Sequence, residues 1–177
     1  MLKVLSGKPG PRSRSLRQDD YRAKTNVLAT ISENQAEDVF LRSFSTLFPT
    51  WQDKTGRGIV PKRSALRFQD FVGWHARMVL ADLPEDGNLR FRIAGDRVMD
   101  MFGHRIRPGD SFSSLPSVTF DDYAEYFKAI RAGDVYGRYS GMIPFEGRNL
   151  GNFEVLDLPA ADEEGNVAFL FSFFLYR

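Results

Sequence analysis

Few residues in this chain have side chains that could do chemistry unaided. There are two histidines, His75 and His104, and no cysteine. The missing thiol removes cysteine catalysis, iron–sulfur clusters, cysteine-bound zinc and disulfides. Two imidazoles cannot build a three-histidine zinc site. Either histidine could serve as an axial haem ligand. Against that, His75 lies among Phe68, Phe71, Val72 and Trp74, where an imidazole more often packs with its nitrogens hydrogen-bonded. His104 follows Gly103 where a helix would exit and could simply cap it. His104 is the better haem candidate of the two, because its loop borders the expected cavity.

Asp121, Asp122 and Glu125 are as close together as paired acid–base carboxylates would be, but they open a helix, where the dipole attracts anions. Asp162, Glu163 and Glu164 precede Gly165 and read as a solvated hairpin loop. Tyr136 and Tyr139 could offer hydroxyls to a ligand or pack in a wall. The chain has no G-x-x-x-x-G-K-[ST], no strand-linked G-x-G-x-x-G and no H-E-x-x-H, so phosphate cradles and common metallohydrolase frames find no support. With 16 phenylalanines, the expected binding site is an aromatic-lined cavity with a few polar groups. Its expected lining is Trp74, His75, Phe91, Ile93, Met101, Phe102, His104, Tyr123, Tyr139, Phe153 and Phe171.

The elements that must position these residues follow from patterning. At 177 residues and 42% apolar, the chain suits one packed core plus an extension. No apolar run approaches the ~20 residues of a membrane span, and the N-terminus lacks the apolar core of a signal peptide. A cytoplasmic location without membrane insertion is expected. The net charge of +1 hides an asymmetry, because residues 1–31 carry +5 and the remainder −4. Residues 1–33 read as a basic, flexible arm without the interleaved aromatics of a nucleic-acid contact, Tyr21 apart. Phe40, Phe44, Leu47 and Phe48 predict an amphipathic flanking helix over 34–48, capped from Ser32 and stopped by Pro49. The domain proper is expected over 50–177.

Within it, the spacing of Phe68, Phe71, Val72, Trp74 and His75 predicts a short helix, and 78–80 a first strand. Leu89, Phe91 and Ile93 alternate with Arg90 and Arg92, which predicts a strand with one buried face. A short helix over 97–102 ends at Gly103, and a longer one runs from a capping-box-like Thr119 and Asp122 to Gly133. Runs at 136–145, 149–158 and 166–176 predict three strands whose short links force antiparallel pairing, with one sheet face polar and one packed. The order makes an α+β fold with helices on one face of the sheet.

Several short motifs carry a family resemblance. Trp51 is followed by a Gly-x-x-Pro-x-Arg-like stretch (Gly58, Pro61, Arg63), then by Phe91-Arg92-Ile93-Ala94-Gly95-Asp96-Arg97-Val98. Phe102-Gly103-His104-Arg105-Ile106 and Pro108-Gly109 come next, and Phe153-Glu154-Val155-Leu156-Asp157-Leu158-Pro159 precedes the turn at Asp162 to Gly165. In this order, about 125 residues of the chain resemble a PAS-type sensory domain, in particular the single-domain PAS-like family of alphaproteobacteria. The resemblance implies a PAS-like five-stranded antiparallel sheet with helices across one face, a small enclosed pocket and an N-terminal flanking helix. It implies a sensor or interaction module, not an enzyme. Without cysteine, the cysteinyl-flavin chemistry of light-oxygen-voltage sensors and the thioester chromophore of photoactive yellow protein are excluded. Because the chain ends at Arg177, signal is expected to pass to a separate protein partner or through the flanking helix. In PAS-like domains that helix often packs across a two-fold axis, which makes Val39, Phe40, Phe44 and Leu47 candidate homodimer contacts; packing in their own core is the alternative.

Three functions compete on these readings. The leading one is a PAS-like signalling module that binds a small, largely apolar or aromatic ligand or a protein partner, without catalytic output. The second is a small α+β-barrel-type enzyme, an isomerase or dehydratase using a buried carboxylate or His104; Glu154, placed by its neighbours away from the packed side, argues against it. The third is a nucleic-acid-associated regulator acting through the basic arm.

Overall fold

A computed structural model of the chain describes residues 3–5, 25–30, 39–115, 121–141 and 153–176. The expected helix start at Thr119 and the strand ends within 142–152 lie outside the described residues. The β-prone runs near the C-terminus form the centre of one antiparallel sheet. Strand β6 (Phe153–Ala161) pairs with β7 (Val167–Tyr176) across a tight hairpin. The far edge of β7 takes β3 (Met78–Asp82), which pairs with β4 (Arg90–Ala94). The far edge of β6 takes β5 (Val135–Gly141). These are the five expected strands, in the order β5-β6-β7-β3-β4.

Two more strands extend the β5 edge: β2 (Thr25–Thr30) and β1 (Lys3–Leu5). Both come from the stretch expected as an arm. Thr25-Asn26-Val27-Leu28-Ala29-Thr30 is a β-prone hexapeptide, and it covers an edge whose backbone groups would otherwise be unpaired. Leu28 and Ala29 are buried there.

Both faces of the sheet are packed, which corrects the expectation of a polar face. Phe153, Val155 and Asp157 of β6 point to one side, and Leu156, Leu158 and Ala160 to the other; all six are buried. Such a run is the pattern of a strand covered on both sides. Helices α3 (Asp96–Phe102) and α4 (Asp121–Arg131) cover the first side. The second is covered by the flanking segment, α1 (Val39–Arg42) and α2 (Leu47–Asp53), with 3-10 turns at Arg63–Ala65 and Phe68–Phe71.

The flanking segment differs from one helix over 34–48. It breaks after Arg42, and α2 runs through Pro49, because a proline in the first turn removes an N–H that has no intrahelical acceptor. Phe68 to His75 form 3-10 turns instead of a helix face, so Phe71 is buried and Trp74 partly buried against the core while Phe68 and Val72 are exposed. In β4, Phe91 pairs with Ala81 and Ile93 with Leu80, leaving Arg92 as an extra residue. This bulge breaks the period-2 alternation, which is why Phe91 is buried and Ile93 is 41% exposed.

Candidate functional site

The sheet divides the expected ligand-lining residues. Phe91, Met101, Phe102, Tyr123, Tyr139 and Phe153 gather on the α3/α4 face. Trp74 and Phe171 lie on the opposite face, where Trp74 stacks on Phe44 with centroids 5.6 Å apart. Ile93 points outwards, and the His75 ring lies flat on exposed Phe68 at 3.6 Å, its Nε2 2.8 Å from the Phe68 carbonyl oxygen. His104 is half-buried at the end of α3, where its amide donates to the Met99 carbonyl beyond the left-handed Gly103. The eleven residues therefore do not enclose one cavity.

The six that do gather belong to an aromatic layer. Tyr123 packs edge-on to Phe112 at 5.4 Å and lies 6.5 Å from Tyr139, which continues to Phe153 at 5.6 Å. Burial pushes the Tyr139 hydroxyl well above its ordinary pKa, and the neighbouring Tyr123 adds to the effect. Tyr136, three residues earlier in β5, points to the other face against Phe48. Phe40, Phe44 and Leu47 are buried against the same far face. Their apolar surface is thus used within the chain, which is the alternative of packing in their own core.

At the centre of the α3/α4 face is a polar cluster that the sequence reading missed. One row across the sheet runs Leu28, Gly137, Asp157, Ser172, Val79, Ala94. Asp157 is 5% exposed. It accepts hydrogen bonds from the Tyr126 hydroxyl of α4 at 2.7 Å and from the Ser172 hydroxyl of β7 at 2.5 Å. Tyr126 reaches it only because residue 137 is glycine, since a Cβ there would stand 1.9 Å from the Tyr126 oxygen. Burial raises the Asp157 carboxyl to about 6, although both hydroxyls pull it down. Burial also pushes Tyr126 well above its usual value, reinforced by the Asp157 charge. The available signal was an aspartate and a serine interrupting otherwise apolar strands, in which such residues are depleted.

An open groove of about 900 Å³ lies elsewhere, between the loop following α2, the β6–β7 hairpin and the end of α4. None of the expected lining residues borders it. Three of its cations are engaged locally: Lys54 with Asp70, Lys62 with Glu163, and Arg131 with the carbonyls of Leu83 and Val167. Among the described residues no group of three histidines or carboxylates could hold a metal ion, and no helix is long and apolar enough to cross a membrane. Of the acidic cluster on α4, Glu125 pairs with Lys128 at 3.0 Å on the exposed side.

The five antiparallel strands in the order β5-β6-β7-β3-β4 contain the five-stranded antiparallel sheet that the family resemblance implied, with helices inserted between β4 and β5. No curated protein and no solved structure matches the chain. A family model described as PAS domain matches residues 39–172. That match spans well over half of the sequence, and the chain belongs to the PAS domain family, whose members are sensory and signalling modules.

Proposed function

We propose that this PAS domain senses a small, largely apolar or aromatic ligand in the layer beneath α3 and α4 and passes its occupancy to a protein partner, with no catalytic step of its own. The observation that carries the reading is the concentration of Phe91, Met101, Phe102, Tyr123, Tyr139 and Phe153 on one sheet face. Such a layer offers apolar surface for affinity and two tyrosine hydroxyls for orientation. The raised Asp157 pKa would suit a general acid. Its carboxylate is nevertheless occupied by Tyr126 and Ser172, which favours the sensory reading over an isomerase or dehydratase.

Native mass measurement and an absorption spectrum of freshly purified protein test this. The expected result is a small-molecule mass that is released on denaturation and is lost in Tyr139→Ala. A colourless protein of bare chain mass, unshifted in melting temperature by a panel of small aromatic and aliphatic compounds, would remove the ligand and leave protein recognition. A Soret band lost in His104→Ala would identify haem. Light scattering would show whether the partner is a second copy of the chain.

A further inference from the structure

The buried cluster holds a carboxylate beside which, among the described residues, no cation stands. Asp157 faces Tyr126 on α4, Gly137 on β5 and Ser172 on β7, with Leu28 on β2 and Val79 on β3 completing its row. Of these only Tyr126 titrates, with Tyr123 next to it. The charged neighbours on the same strands point away: Arg138 lies over the Phe40 ring on the far face, and Glu154 is in phase with Leu156. On α4, Lys128 and Glu125 pair with each other at the surface, and Arg131 reaches the Leu83 and Val167 carbonyls.

We propose that the seating of α4 on the sheet is proton-linked through Asp157: the helix is held closed while the carboxyl is protonated and opens towards water as the proton leaves. When closed, the carboxylate has two hydroxyl donors for about four lone-pair sites and, among the described residues, no countercharge. Opening hydrates the charge and gives up one protein hydrogen bond. Protonation removes the incentive. Burial is the dominant influence on this carboxyl and sets it at about 6, so the transition falls between mildly acidic and neutral pH. The element that moves has 11 residues, is tied to the sheet by Tyr126 at its middle and Arg131 at its end, and is followed by Gly133 with φ 101°. This device stands independently of any ligand in the aromatic layer.

Amide hydrogen exchange of the full chain, corrected for intrinsic rates and followed from pH 5 to 7.5, reads the opening directly. Protection of the α4 amides is expected to fall roughly tenfold over that range, a factor corresponding to one unit of pKa difference. At pH 7.5 it should lie below that of β3 and β7, which marks a local opening. In Asp157→Asn the α4 protection should no longer depend on pH. Tyr126→Phe and Ser172→Ala each remove a donor to the ionised form and should move the midpoint upwards, which keeps the test decisive if Asp157→Asn fails to fold. The proposal is overturned if α4 and the central strands share one protection value at every pH. A flat α4 profile in the wild type, or an unchanged midpoint in Tyr126→Phe and Ser172→Ala, would overturn it equally.

Discussion

On the α1/α2 face of the sheet, the fully buried side chains include Trp51, Tyr136, Phe44, Phe71, Leu156 and Phe173. On the α3/α4 face, the middle of the sheet instead presents Asp157 and Ser172 and receives Tyr126 from above. The two sides use the same strands, often adjacent residues: Leu156 and Asp157 on β6, Ser172 and Phe173 on β7. The first side is held by apolar burial and ring contacts, which have little dependence on pH. The second adds a hydrogen-bonded charge whose desolvation opposes folding. A sheet of this kind has one side suited to staying closed and another whose stability a proton can change.

The largest expected effect is on the apolar side. Trp51 is fully buried, packs on Phe48 at 5.7 Å and donates its indole N–H to the Pro159 carbonyl at 2.8 Å. Pro159 lies beyond the last residue of β6 that pairs with β5, Asp157, where a proline can stand in the strand without breaking a ladder on that side. Trp51→Ala leaves a cavity and strands that carbonyl, and should cost about 4 kcal/mol. Chemical denaturation at pH 5 and pH 8 should give the same loss. A loss that changed strongly with pH would break the distinction between the faces.

Next comes Gly137→Ala. The new methyl would collide with the Tyr126 oxygen and lie 2.8 Å from Ile130 Cδ1, so α4 must lift or the sheet must bend. Overpacking together with a weakened buried hydrogen bond should cost about 3 kcal/mol. Removing the hydroxyl creates part of the missing space. In a Tyr126→Phe background, therefore, the same substitution should cost about 1 kcal/mol less, as a double-mutant cycle would measure. Additive losses would mean that the hydroxyl is not what requires glycine at this position.

The uneven legibility of the two sides has a physical cause. The apolar, β-branched and aromatic runs of β3, β6 and β7 were visible in the sequence because burial on a sheet demands them. The glycine ends of α3 and α4 were visible because left-handed or helix-ending positions favour glycine. Helical spacing misled at Phe68 to His75, where tertiary packing against Phe171 and Phe173 uses Phe71 and Trp74 and leaves Phe68 and Val72 exposed. The polar cluster was hidden by register. Counting back from Ala161 opposite Val167 would set Asp157 against Phe171, but a one-residue shift between Ala160 and Ala161 sets it against Ser172. The same shift puts Val167 on the α3/α4 side while Phe171 and Phe173 point to the other. A bulge has no reliable sequence signature, yet it decides which residues meet.

The smallest of these effects is also the one with an unusual sign. The Asp157 carboxyl is raised from 3.8 to about 6 by burial, so between those values the native state binds more protons than the unfolded chain. Stability from this group must then fall as pH rises through that window. Below about pH 4 both states are protonated and the group is neutral in effect. Above about pH 6 the native state carries the full cost of a buried charge, up to about 3 kcal/mol at 1.36 kcal/mol per unit. Asp157→Asn keeps the shape and removes the charge. It should raise stability by about 2 kcal/mol at pH 8, with part of the gain lost to weaker hydrogen bonds from Tyr126 and Ser172, and should bring no gain near pH 4. Urea denaturation of both proteins across pH 4 to 8 measures the two curves. If Asp157→Asn were destabilising at pH 8 by as much as at pH 4, the carboxylate would be a net structural asset and the α3/α4 face would be no more proton-sensitive than its opposite.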